Sequence, residues 1–171
     1  MAIDFSSGGS QSRPSITRTS YVSVSGSANI DFTNIPSDVN KINIWFHNLG
    51  YTGSGAILKF RLGDSGGIDT SGYDSAAVYV HSNNSINSQT DAIPIGWSSN
   101  ENEHLSGCIT LEHRPTSNVW IAAGTSVHQG RGFLSVTGGI HELTGTLDRI
   151  RFFTQGGTNF DGGEIWLTYE E

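Results

Sequence analysis

The sequence has little of what holds many small proteins together or draws them to charged partners. Cys108 is the only cysteine in 171 residues, which excludes an intrachain disulfide. Charged residues make up 15% of the chain, the net charge is -7, and the basic residues are scattered. Because binding to phosphates needs clustered Lys and Arg, nucleic acid is not an expected partner.

Long apolar runs and helical spacing of apolar residues are also missing, so we expect no membrane insertion and no helix-dominated fold. The chain opens with Met-Ala-Ile-Asp-Phe and has no basic segment followed by an apolar run, which predicts no secretion signal. We therefore expect assembly in a reducing cytoplasm, where Cys108 stays an inert, buried thiol.

What the sequence does contain is 22 glycines, abundant Ser, Thr and Asn, and short strand-like runs separated by turn residues. The spacing of about ten residues between runs predicts an all-β, single-domain antiparallel β-sandwich, jelly-roll-like, over residues 20–171. The predicted strands are 20–25, 28–33, 40–47, 55–62, 76–81, 92–97, 105–113, 118–128, 132–137, 146–154 and 163–169. Residues 64–75 and 82–91 are predicted to be surface loops.

Residues 1–19 differ from the rest because they include the Ser- and Gly-rich stretch SSGGSQSRPSITRTS at 6–20, which could bury little. We interpret 1–19 as an N-terminal arm that is flexible or ordered by a partner. The candidate assembly contacts of this arm are Ile3, Phe5, Arg13 and Pro14.

Four large aromatic side chains fall on the polar side of their strands when the alternation of each strand is followed: Trp45, Trp120, Phe153 and Trp166. Large aromatics on a solvated sheet face require an explanation. Three remain open at this point: cover by loops of the same chain, a subunit interface, or a platform on which sugar rings stack.

The stretch LGDSGGID at 62–69 contains the five letters typical of the nucleophile loop of chymotrypsin-like proteases. Such a serine needs a histidine and an acid from a preceding barrel, and only His47 precedes Ser65. Two barrels cannot be built from 64 residues, so we interpret the motif as a glycine-rich turn.

Two sets of side chains have metal-ligand chemistry: Asp64, Asp69 and Asp74 in the glycine-rich loop, and His104, Cys108 and His113 in one strand. The carboxylates depart from the EF-hand order. In an extended strand, the first two members of the second set are too far apart and the third lies on the opposite face. Neither pattern predicts a metal site, and the sequence predicts no cofactor and no catalytic residues.

Several segments together resemble a type of tailed-bacteriophage virion protein. The similar segments are IDFSSGGS at 3–10, SANIDFTNIP at 27–36, LGDSGGIDTSGY at 62–73, and the stretch from LDRI at 147–150 through NFDGGEI at 159–165 to Tyr169 and Glu170, which resembles a closing β-hairpin. The resemblance implies a β-sandwich module of a phage particle, commonly trimeric. It implies no catalytic residues.

The function expected from these observations is a non-enzymatic virion structural protein, a tail-fibre or receptor-binding module attached through its N-terminal arm. Expected partners are two further copies of the chain, other virion proteins and a host cell-surface glycan. The alternatives are a capsid decoration protein and a carbohydrate-binding module or lectin.

Overall fold

The computed structural model describes residues 15–53, 55–81, 84–98 and 102–170, and every regular element in these ranges is a β-strand. The strands are β1 (Ile16–Arg18), β2 (Val22–Ser23), β3 (Asn29–Thr33), β4 (Lys41–Tyr51), β5 (Ala56–Asp64), β6 (Gly67–Ile68), β7 (Asp74–Val80), β8 (Ser85–Gln89), β9 (Ile93–Ser98), β10 (His104–His113), β11 (Val119–Gln129), β12 (Phe133–Glu142), β13 (Arg149–Thr154) and β14 (Phe160–Glu170).

The strands form two antiparallel sheets. The large sheet has the order β1-β14-β4-β10-β11-β12-β7-β8, and β2 also pairs with β14. The small sheet has the order β3-β13-β5-β6, with β9 paired to β5. The all-β antiparallel sandwich expected from the sequence is confirmed, whereas a jelly-roll-like connectivity stays a prediction.

One hydrophobic core lies between the two sheets. The alternation in β4 and β14 places Ile44 and Leu167 on the inner face of the large sheet, and both are fully buried. Phe60 and Phe152 pair across β5 and β13 of the small sheet and face them from the other side. The period-two pattern of these strands therefore does select the inward face.

Each predicted strand overlaps an observed one, and three further strands are present. β6 and β8 lie in the stretches predicted to be loops, and β1 lies within the predicted arm. β1 pairs with the C-terminal end of β14, from Ile16 opposite Glu170 to Arg18 opposite Thr168. This part of the arm therefore belongs to the sheet, because its backbone groups complete the edge of β14.

Two central strands of the large sheet, β10 and β11, approach each other very closely at a glycine. A Cβ atom added at Gly124 would lie 2.4 Å from the carbonyl oxygen of Cys108 and 2.6 Å from the Cα of Ile109. Both distances involve backbone atoms, which cannot move without opening the sheet. Glycine is therefore required at this position, because no other residue's Cβ atom fits between the two strands.

Gly124→Ala is expected to lower the free energy of unfolding by about 2 kcal/mol, because overpacking against backbone has no easy relief. The matched control is Gly138→Ala in the neighbouring strand β12, where the nearest atom to the new Cβ is 3.9 Å away. That change is expected to stay within about 0.5 kcal/mol. Chemical denaturation measures both, and equal effects would contradict the close-approach explanation.

Candidate interaction surfaces

The outer surface of the large sheet carries an extended apolar area over β11, β12, β7 and β8. Seven aliphatic side chains point outward there and are between 42% and 72% exposed. Cross-strand register brings them together: Val127 lies opposite Leu134, and Leu134 lies opposite Val80. We call this surface the aliphatic face; its members are Val80, Ile86, Ile121, Val127, Leu134, Val136 and Ile140.

β12, which carries part of the aliphatic face, has its polar side chains pointing inward and its aliphatic side chains pointing outward, the reverse of an ordinary sandwich strand. In β12 the buried positions are polar, namely Ser135, Thr137 and His141, while Leu134 and Val136 between them point to solvent. An antiparallel strand with one covered side normally buries its aliphatic set and exposes its polar set. In β12 this arrangement is reversed, and the aliphatic side faces away from the chain's own core.

The polar side chains on the inner side of these strands have hydrogen-bond partners, so their burial is not left uncompensated. The hydroxyls of Ser126 and Thr137 both donate to the carbonyl of Ile95 in β9, at 3.1 and 3.4 Å. The hydroxyl of Ser75 donates to the carbonyl of Ala92 at 2.7 Å. At this end of the sandwich the two sheets are therefore joined by hydrogen bonds between side chains and backbone.

Charged residues lie at the margin of the aliphatic face. Asp74 is the direct partner of Ile140, Glu112 is the direct partner of Ile121, and Glu142 follows Ile140 two residues later, so these three acids mark one end of the face. The outward positions between the aliphatic ones are small or uncharged: Ala76, Ala123, Thr125 and Gly138. Two such faces could meet without opposing like charges at their centres.

Trp45 and Trp166 lie side by side on the outer surface of the other half of the large sheet. They are direct partners in the register of β4 and β14, and their rings are parallel within 9° at a centroid distance of 6.2 Å. Tyr21 packs against Trp166 at 4.8 Å, and the guanidinium of Arg18 lies over Tyr21. Trp45 stays 38% exposed, so cover by the chain itself is only partial. We call these two residues the tryptophan pair.

The prediction that Trp120 lies on the solvated side of its strand is wrong. Its side chain is 3% exposed and belongs to the core, where it stacks on His113. Its inward neighbours Ala122 and Gly124 are small, which leaves the volume that an indole ring requires. Ile121 points outward instead, as part of the aliphatic face.

Phe153 lies on the outer surface of the small sheet, away from the tryptophan pair. The guanidinium carbon of Arg61 lies 4.4 Å from the centroid of its ring, so another side chain of the same chain covers the ring. The four predicted aromatics therefore do not form one platform. The predicted arm contacts Ile3, Phe5, Arg13 and Pro14 lie outside the described residues.

A cleft that the sequence does not predict is lined by residues of β7, β8 and β12 from the large sheet and of β5 and β9 from the small sheet. Its volume is about 840 Å³, within the range of small-molecule sites. Trp97 and Phe133 contribute aromatic walls, and Ser85, Asn87 and Gln155 contribute polar side chains. No sequence motif marks it, because these residues come from four separate segments.

The loop with the protease-like letters forms a turn held by Asp64. The Asp64 carboxylate accepts hydrogen bonds from the backbone N–H of Gly66 at 2.7 Å and from the hydroxyl of Thr144 at 2.8 Å. The bond from Gly66, followed by that from Thr144, lowers the pKa of the Asp64 carboxyl below its ordinary value. Asp69 of the same loop is paired with His141 at 2.9 Å.

Within the described ranges, no group of three His, Cys, Asp or Glu side chains is arranged to hold a metal ion. No helix in this part of the chain has the length and apolar character needed to cross a membrane. Comparisons with family models, curated proteins and solved structures give no match.

Proposed function

We propose that this chain is a non-enzymatic structural module of a bacteriophage particle, a tail-fibre or receptor-binding module that assembles as a trimer through its aliphatic face. The observation that carries the self-association is the inversion of β12, which buries Ser135 and Thr137 and exposes Leu134 and Val136. Aliphatic side chains in this number on one sheet are typical of a subunit interface.

A second copy of the chain is the best-fitting occupant of the aliphatic face. The chain carries a net charge of -7, so two copies repel each other over most of their surfaces. The aliphatic face removes that repulsion from most of the contact, because its acidic neighbours Asp74, Glu112 and Glu142 lie at one margin. Three subunits around an axis would place three such faces together and leave the small sheets outside.

The phage assignment is supported by the segments that resemble virion proteins, and the binding role by the exposed rings. The chain up to residue 19, with Ile3, Phe5, Arg13 and Pro14, is the proposed attachment to other virion proteins. Three copies on one fibre would multiply weak contacts of the tryptophan pair or the cleft with a host surface glycan. A rigid sandwich suits this role because its loops and rings are presented without rearrangement.

The proposed function is tested by locating the chain on purified phage particles with gold-labelled antibodies in the electron microscope. We expect label on the tail and no label on particles assembled with a chain that lacks residues 1–14 but keeps β1. Full-length chain carrying Thr33→Glu, an exposed change on the small sheet, is the control and should be incorporated. Label on the head shell would support decoration instead, and particles without the chain would refute the proposal.

A further inference from the structure

The cleft beside β9 has the composition of a ligand site. Trp97 is half-buried in its wall, and its ring centroid lies 6.3 Å from that of Tyr79 at a tilt of 49°. Tyr79 is buried, so it supports the indole from the protein side. Apolar contact is extended by Ile57, the direct partner of Trp97 in the pairing of β5 with β9.

A second aromatic group on the cleft wall is held rigidly by its own chain. Phe133 contacts the ring of His81 at a centroid distance of 5.0 Å, and the guanidinium of Arg131 lies 5.7 Å from the Phe133 centroid. Arg131 is ion-paired with the buried carboxylate of Glu103. The positive charge at the rim is therefore compensated, and the cleft does not select for an anion.

Besides His81 and Arg131, the polar side chains of the cleft include neutral hydroxyls and amides. Ser85 and Asn87 come from the inward side of β8, and Gln155 comes from the turn after β13. Such groups can both donate and accept, and they can bond the paired hydroxyls of a sugar. The apolar ring faces and these amides lie around one open volume of about 840 Å³.

We propose that this cleft binds a neutral saccharide, with one pyranose ring stacked on Trp97 and its hydroxyls bonded by Asn87 and Gln155. A sugar ring presents C–H groups on its faces and hydroxyls on its edge, which matches an aromatic wall beside neutral amides. A phosphate or a carboxylate ligand would require an uncompensated cation, and Arg131 is already paired. The inference rests on the proposed receptor-binding role and names the class of ligand.

The test uses the isolated full-length chain and a panel of glucose, galactose, mannose, N-acetylglucosamine and their oligomers. Binding is followed by tryptophan fluorescence and by saturation-transfer NMR. We expect Trp97→Ala to weaken binding about tenfold or more, as the loss of one stacked ring. Gln155→Ala changes an exposed side chain at the rim, leaves the fold intact, and is expected to weaken binding several-fold. Thr33→Glu, an exposed change outside the cleft lining, is the control and should bind as the unmodified chain does. Trp45→Phe tests the tryptophan pair as the competing binding site.

The outcomes separate this inference from the proposed function. Binding that survives both Trp97→Ala and Gln155→Ala, or that is lost in Trp45→Phe, overturns the assignment of the cleft. The same holds if no saccharide of the panel binds. Particle labelling is independent of all three results, so a tail module without saccharide binding would leave the proposed function standing and remove only this inference.

Discussion

Val136→Glu is expected to reduce the mass of the proposed trimer from three times 18.3 kDa to 18.3 kDa while the fold is retained. Val136 lies in the middle of the aliphatic face, opposite Thr125 on one side and Val78 on the other. Burying a carboxylate there on association, without a cation to pair with it, would cost several kcal/mol per contact, roughly 3 or more. A loss of roughly 3 kcal/mol lowers the association constant of each contact by about a hundredfold or more.

The measurement is light scattering after size exclusion, together with thermal unfolding to show that the variant is folded. Thr33→Glu adds the same charge to an exposed position on the small sheet and should leave the mass unchanged. A dimer in place of a trimer would keep the aliphatic face as the interface but refute the three-fold arrangement. An unmodified chain that is a monomer at high micromolar concentration would refute self-association through this face.

Asp91→Ala is expected to lower the free energy of unfolding by about 3 kcal/mol, because it leaves a buried cation without a carboxylate partner and bonded to the neutral side chain of Gln89. The cation is Lys59, whose side chain is 4% exposed and whose ammonium lies 3.2 Å from the Asp91 carboxylate. Asp91 also accepts a bond from Arg61 at 3.0 Å. Burial alone would raise the pKa of Asp91, but the bonds and charges of the two cations hold it below its usual value.

The control for Asp91→Ala is Asp31→Ala, which breaks the bond of Asp31 with the Arg151 guanidinium. Both side chains of that pair are more than one third exposed, so the expected loss is about 1 kcal/mol or less. Adding Lys59→Met to Asp91→Ala should recover most of the lost stability, since the unpaired charge is removed. Denaturant titration measures all three. Equal losses for Asp91→Ala and Asp31→Ala would show that the burial of Lys59 does not add to the stability lost when its ion pair is broken.

The sequence pattern was sufficient for the fold class because turn residues and period-two alternation depend on local chemistry. In β4 and β14, Ile44 and Leu167 alternate with polar residues, and both are buried as predicted. The same rule fails in β12, where Leu134 and Val136 alternate with Ser135 and Thr137 just as regularly. Alternation shows that a strand has two different sides, but it does not say which side faces the chain's own core.

The interaction surfaces could be predicted only in part. Trp45 and Trp166 were found because each stands alone among polar residues on its strand, and the structure places them together. Trp120 was misplaced because both sides of β11 are apolar around it. The cleft around Trp97 has no signature in the sequence, because its walls come from segments that are far apart in the chain and meet only after folding.

The strand order places the N-terminal strand and the cleft at opposite edges of the large sheet. β1, which continues from residue 15, borders one end of the large sheet, whereas β8 and the cleft beside it border the other end. An attachment through the chain ahead of β1 would therefore hold the sandwich at the β1 edge of the large sheet. The β8 edge, with the cleft, would then lie farthest from the attachment point. Lengthening the segment ahead of β1 would increase the distance between the attachment point and the cleft, without altering any contact that the cleft itself makes.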